Sequence, residues 1–473
     1  MDKVHCLHPW DEKKALQFKS WVQADDQRYA LFLEEDPAKV ALQTPHPRIR
    51  CIFVPQDFSD TLEQVAWEFL YLPFSFESPE NPLLQKLAEI QSKVHLRALD
   101  FNDQGLGLLA NIKYHLSHPI STVKNLSGAF KGLPAVVCGG GPSLTAARPH
   151  LKRLEDSALL IGCGAGVEAL AQMNIRPHFA AHVDPDPLHT FKASDIPLLY
   201  QLRSSKATCA RYTGPHLLAA GAGNFPLESW IQEKLGLEPS FDGGWTVGTF
   251  GVAMAVYLGC NPIILAGMDL AGRIYAPGVR EAAADQFLPV KNRLGENAVS
   301  RPDWILAAKW LEQFAKLHHS IQWGTVAERG LDIPSIPYSS LEGVIGSQGV
   351  SKRVLEALPL CQEQALWSEI SNSFIRAGDL SRSLLEEIQQ IFPQDPLESG
   401  RCALLEHDLS EELAYQAVLS PVWTHWQHPI RLHNSDGERG LFLNRVLLFQ
   451  ALCEKINALW PKISRLSASS ADI

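Results

Sequence analysis

The stretch Pro134-Ala135-Val136-Val137-Cys138-Gly139-Gly140-Gly141-Pro142-Ser143-Leu144 decides how this chain is read. Ala135 to Cys138 is apolar without a break, which predicts a strand buried on both faces; a half-exposed strand would alternate apolar with polar. Three glycines close it, and Pro142 suits the first turn of the helix expected from about Ser143. The same grammar recurs outward. Ala158-Leu159-Leu160-Ile161 is closed by Gly162-Cys163-Gly164-Ala165-Gly166 ahead of helical Val167 to Met173. Phe179 to Val183 ends at Asp184-Pro185-Asp186, and Thr249 to Leu258 reads as an apolar helix capped by Gly259. Ile263-Ile264-Leu265-Ala266 is a further buried strand, ending at Gly267 and Asp269. Strand, glycine turn and helix in repetition predict a doubly wound parallel sheet.

A chain of 473 residues is too long for one ordinary core. The pattern divides it into a mixed N-terminal α/β accessory domain (1–115), a central Rossmann-like domain (116–345) and a helical C-terminal domain (346–473). In the first, Arg50 to Pro55 predicts a strand, and Thr61 to Leu70 and Leu83 to Ala98 predict helices. From about Ser351 strand signals vanish: Leu355 to Ile391, Glu411 to Leu419 and Leu441 to Leu459 are helix-like. An apolar fraction of 46% and a charged fraction of 20% are those of a folded globular protein. The net charge of -10 argues against a broad nucleic-acid surface, which needs a basic face. The longest apolar stretch, Val247 to Gly267, is interrupted by Gly251, Gly259 and Asn261-Pro262, so no membrane span is expected. Met1 to Lys14 lacks the apolar core of a secretory signal. Nine cysteines without a CxxC pair suggest neither a disulfide framework nor a zinc site, and the expected location is the cytoplasm.

In open α/β sheets ligands bind beyond the carboxyl ends of the strands. The unusual residues fall there: Gly139, Gly140, Gly141 and Ser143; Gly164; Asp184 and Asp186; Gly267 and Asp269. Glycines after strands also simply make turns. The first loop lets backbone N–H groups approach an anion at a helix start, with Ser143 as cap or phosphate ligand. Leu144 stands where GxGxxG needs its third glycine, and no Gly-Lys-Ser/Thr follows, so nicotinamide and Walker-type sites are disfavoured. Asp184 and Asp186 have the spacing to share a Mg²⁺ or Mn²⁺ with a diphosphate, or to form a turn. His182 is expected on the same face as Asp184, as a candidate base or a packed core histidine. His318 and His319 fall in a helix-to-strand connection, and because adjacent histidines diverge on a helix a shared metal is not expected.

The Pro134–Leu144 loop resembles the GPSL opening of the motility-associated-factor (Maf) glycosyltransferases, a family that shares its core with the archaeal 6-hydroxymethylpterin diphosphokinase-like domain. Ile175 to Phe179 with Val183-Asp184-Pro185, Gly244-Trp245-Thr246-Val247, Ala255 to Ala271, and Trp310 to Glu312 through Val326 to Gly330 are similar to later family segments, in the same order. The family in turn resembles bacterial sialyltransferases that use CMP-activated nine-carbon sugars. The resemblance implies Gly139, Gly141, Ser143, Asp184, Thr246, Gly267 and Asp269 as donor-site positions. Relatives often carry a catalytic His soon after the segment matching Gly267 to Ala271; here Tyr275 stands in that stretch. An unperturbed phenol, with a pKa near 10, is a poor base at neutral pH. Trp245 replaces a small residue, and Asn174 replaces a glycine in a way compatible with a left-handed turn. Implied is transfer of a sugar from a nucleotide donor, CMP-linked by preference, to a protein or glycan acceptor, with Tyr275 or His182 as base. An ATP- and Mg²⁺-dependent diphosphokinase acting on a pterin-like alcohol, or a nucleotide-binding module without catalysis, are the alternatives.

Overall fold

In a computed structural model the structure describes residues 3–41, 46–55, 59–78, 80–186, 194–221, 226–237, 241–272, 287–344, 346, 348–358, 366–433 and 436–458. Contacts divide the chain into two compact units, Met1–Asp103 with Ser373–Ile473, and Gln104–Asn372. The two outer segments, distinct by sequence pattern, therefore share a unit.

In the first unit the elements run β1 (Val4–Leu7), α1 (Glu12–Gln23), β2 (Tyr29–Glu34), α2 (Pro37–Ala41), β3 (Ile49–Phe53), α3 (Ser59–Glu68), β4 (Phe74–Phe76) and then α4 (Pro82–Leu116), which crosses the division. The strands form a parallel sheet in the order β3-β2-β1-β4. Its faces are set by alternation: Leu31 and Leu33 pack with α3 and α4, while Ala30 and Phe32 pack with Ala15 and Val22 of α1. Only β3 was expected from the sequence.

The second unit continues with β5 (Ser121–Thr122), β6 (Ala135–Cys138), α5 (Ser143–Leu154), β7 (Leu159–Cys163), α6 (Ala165–Gln172), β8 (Phe179–His182), β9 (Leu198–Tyr200), α7 (Lys206–Cys209), β10 (His216–Leu218), α8 (Pro226–Lys234), α9 (Val247–Tyr257) and β11 (Ile263–Ala266). The hairpin β12 (Leu288–Lys291) and β13 (Asn297–Ser300), α10 (Pro302–Leu317), β14 (Trp323–Thr325) and α11 (Val350–Ala357) complete it. After α12 (Leu366–Ile391), which crosses the second division, come α13 (Gly400–Ser410), α14 (Ser420–His433) and α15 (Gly437–Ala458). This is the helical C-terminal region.

Eight strands lie in the order β14-β11-β6-β7-β8-β9-β10-β5, each pair parallel. From β6 the chain winds outward through β7 to β10, then returns to place β11 on the other side of β6. The strand order reverses there, which puts the ligand crevice of such a sheet at the β6–β11 boundary. The continuous apolar strands are buried on both faces, as their composition requires. Val137, Ile161, Phe179 and Leu265 pack with α9 and α10, and Val136, Cys138, Leu160 and Ala266 pack with α5 and α6.

Helix α6 starts so close to β6 that Gly166 has no room for a side chain: its added Cβ would overlap the Cys138 carbonyl. Alanine in a helix ordinarily gains about 1 kcal/mol over glycine. Here Gly166→Ala is expected to lower stability by roughly 1–3 kcal/mol, the cost of overpacking, seen as a fall in the urea midpoint. A rise in the midpoint would show that α6 has slack against β6.

Candidate functional site

The carboxyl ends of β6 and β11 are locked face to face. The N–H of Gly139 donates to the Ala266 carbonyl at 2.8 Å, and that of Gly141 donates to the Gly267 carbonyl at 2.7 Å. A Cβ on Gly139 would overlap the Gly267 carbonyl, and one on Gly141 would overlap the Asp269 carboxylate. Gly267, at φ +68°, meets Gly139 in return. These glycines are thus required by the approach of one loop to the other.

Ser143 ties the two loops together. Its Oγ donates to Asp269 Oδ2 at 2.8 Å and accepts from the Gly267 N–H at 2.9 Å, and its own N–H reaches the same carboxylate at 3.3 Å. The side chain does not cap α5. Asp269 is buried, which pushes its carboxyl above the usual range against the opposing pull of the Ser143 hydrogen bonds. The next residue, Leu270, sits at φ +52°, a left-handed conformation that is costly for a side chain of this type. The Ser300 Oγ donates to its carbonyl at 2.6 Å, and the Leu331 N–H donates to the Asp269 carbonyl at 2.8 Å.

Two further loops join. Gly166 abuts Cys138 and Gly139, and the Cβ position of Gly164 lies 3.7 Å from Val247, at the start of α9. Gly248 in turn stands against Met268, whose Cε would be 2.8 Å from an added Cβ. Thr246 caps α9 reciprocally with Thr249: the Thr249 N–H donates to Thr246 Oγ1 at 3.2 Å and the Thr246 N–H to Thr249 Oγ1 at 2.9 Å. Gly139, Gly141, Ser143, Gly164, Thr246, Gly267 and Asp269 therefore fall in one set of contiguous loops, with Gly140 between its two neighbours. Helices α5, α6 and α9 all begin in it, each turning its partly positive end toward the crevice.

Asp184 and Asp186 lie apart from that set. Both are exposed, and their loop is held by the long helix α4: Asn111 Nδ2 donates to the Pro185 and Arg203 carbonyls, both at 3.1 Å. The Ser205 N–H donates to the Asp184 carbonyl at 2.9 Å. Among the described residues no three His, Cys, Asp or Glu side chains gather as a metal site. Asp184 is exposed whereas His182 is not, and the charge of Asp184 still acts on the imidazole from two residues away. The imidazole is fully buried, without a hydrogen-bond partner on either nitrogen, and burial holds it below the usual histidine range. Asn174 takes φ +56°, the left-handed turn expected of it. Trp245 is half-buried against the core, and Trp310 Nε1 donates to Asp242 Oδ2 at 2.7 Å beside it. Tyr275 lies outside the described residues.

Sequence reasoning missed Asn111 and His115. The latter pairs through Nε2 with the Ser204 carbonyl at 2.8 Å. Both come from a helix whose pattern speaks only of burial, and no local motif marks them.

No curated protein matches the chain. Residues 107–274 match the family model described as 6-hydroxymethylpterin diphosphokinase MptE-like. Among solved structures, the Maf glycosyltransferase from Magnetospirillum magneticum AMB-1 is similar over 97% of this chain and 78% of its own, at 14% identity and a TM-score of 0.56. The crevice between β6 and β11 thus falls within the segment similar to the MptE-like family model, in a chain whose fold is like that of a Maf glycosyltransferase.

Proposed function

We propose that this protein is a glycosyltransferase that holds a nucleotide-activated sugar at the carboxyl ends of β6 and β11 and passes the sugar to a protein or glycan acceptor. The observation that carries the reading is the gathering of the α5, α6 and α9 N-termini around the strand-order reversal. The partly positive helix starts suit a phosphate, by way of N–H groups other than those of Gly139, Gly141, Ser143 and Thr249, which are paired within the protein. Asp269 fits the same purpose: a carboxyl biased toward its neutral form repels an anion less than an ionised one. The description of the similar structure as a glycosyltransferase supports glycosyl transfer. The donor is proposed to be CMP-linked, from the likeness of the GPSL loop to sialyltransferases. Tyr275 is proposed to act as base or phosphate ligand, since His182 is sealed from solvent. The description of the matched family keeps ATP-dependent diphosphate transfer to a pterin-like alcohol as the second reading. In that case Asp184 and Asp186, exposed and two residues apart, would hold Mg²⁺ or Mn²⁺.

Thermal unfolding with CMP, UDP, GDP and ATP, with and without EDTA, tests the reading. Stabilisation by CMP that survives EDTA is expected. Stabilisation by ATP alone that EDTA removes would replace glycosyl transfer with the diphosphokinase. Ser143→Ala is expected to cost about 1–3 kcal/mol, because it leaves the buried Asp269 short of a donor, and to weaken the nucleotide response with it. An unchanged nucleotide response in the folded variant would place the ligand elsewhere. Tyr275→Phe is expected to lower donor turnover by about 10²–10⁴-fold, the range for a lost acid–base group, with little change in unfolding temperature. Wild-type turnover in that variant would remove Tyr275 from the reaction.

A further inference from the structure

Helix α8 turns polar groups inward. Glu228 and Gln232, one helical turn apart and so on one face, are 3% and 1% exposed. Oε1 of Glu228 and both amide atoms of Gln232 lack a hydrogen-bond partner. The apolar residues that dock the helix, Leu227 and Ile231, carry this pair in with them. The Glu228 carboxylate rests on Gly221, just past β10, where an added Cβ would stand 2.8 Å from Oε2. Among the described residues the charged group that acts on it is Arg203, from the loop after β9. The nearby Gln201 side chain is engaged elsewhere, donating to the Ala220 carbonyl at 3.0 Å. Each buried polar group left unmet costs about 1–3 kcal/mol. The docked helix is therefore held by its apolar contacts against this opposing cost.

We propose that α8 is a latch, lying on the carboxyl end of β10 while Glu228 is protonated and leaving it when that carboxyl ionises. Its release uncovers Gly221 and the carboxyl end of β10, four strands along the sheet from the β6–β11 crevice. Burial outweighs the attraction of Arg203 and pushes the docked carboxyl up to about 7, from an ordinary value of 4.5. The docked state thus holds the proton more tightly than the released one. Docking is at full strength below about pH 4.5, weakens about tenfold per pH unit up to about pH 7, and is level above that. Once released, a helix this short does not persist alone, so its amides exchange.

Hydrogen exchange of the full chain between pH 5 and 8, corrected for intrinsic rates, reads the latch directly. Protection of amides 230–234 is expected to fall about 40-fold from pH 5 to pH 7 and to level off by pH 8. Amides of β6, β7 and β11 should keep their protection throughout. Glu228→Gln, which cannot ionise, should show a flat profile in α8, and Gln232→Leu should raise protection there at every pH. A flat wild-type profile, a loss shared by the central strands, or a pH response that persists in Glu228→Gln would overturn the proposal.

Discussion

The loops after β6 and β11 approach each other so closely that neither tolerates a Cβ at the contact. Parallel strands side by side end at the same height, and chains leaving adjacent ends compete for one space. Glycine at 139, 141 and 267 resolves that competition, and the freed volume admits the Asp269 carboxylate between the loops. Ser143 then fixes the carboxylate with one hydroxyl. The start of α5, the burial of Asp269 and the left-handed Leu270 all follow from that contact. So does the position of α6, whose Gly166 is pressed against the same strand end.

The central strands were legible because burial on both faces leaves a continuous apolar run, and four of the eight announce themselves that way: β6, β7, β8 and β11. The others are short. Strands β9, β10 and β14 span three residues each and β5 two, below the length at which a pattern stands out from its loops. Tyr29 to Glu34 is different; its run of five apolar residues is a strand signal, and it passed unread beside the clearer centre. Strands β1 and β4, with four and three residues, carried too little pattern to find.

The site was legible as a set of positions and less so as a set of reasons. The glycines stand where strand-end logic places them. Their N–H groups at 139 and 141 are nevertheless taken by neighbouring carbonyls, a pairing across more than a hundred residues that local spacing does not reveal. The unequal exposure of His182 and Asp184 has a local origin: two-residue periodicity holds only while the pleat continues, and β8 stops at His182. Asn111, which braces the Asp184 loop from α4, is tied to it by tertiary packing alone.

The division of the chain into units bears on how it is made. Residues 104–372 form their unit from contiguous sequence, whereas the unit containing the first residues also needs those after 372. His425 and Trp426, which stack on Trp67 and Tyr71, both lie on α14 and are made after residues 104–372. Closing so long an intervening segment costs little more entropy if it is already folded and its ends are fixed, since the penalty grows with the flexible length. The order of assembly that follows is centre first, flanks last.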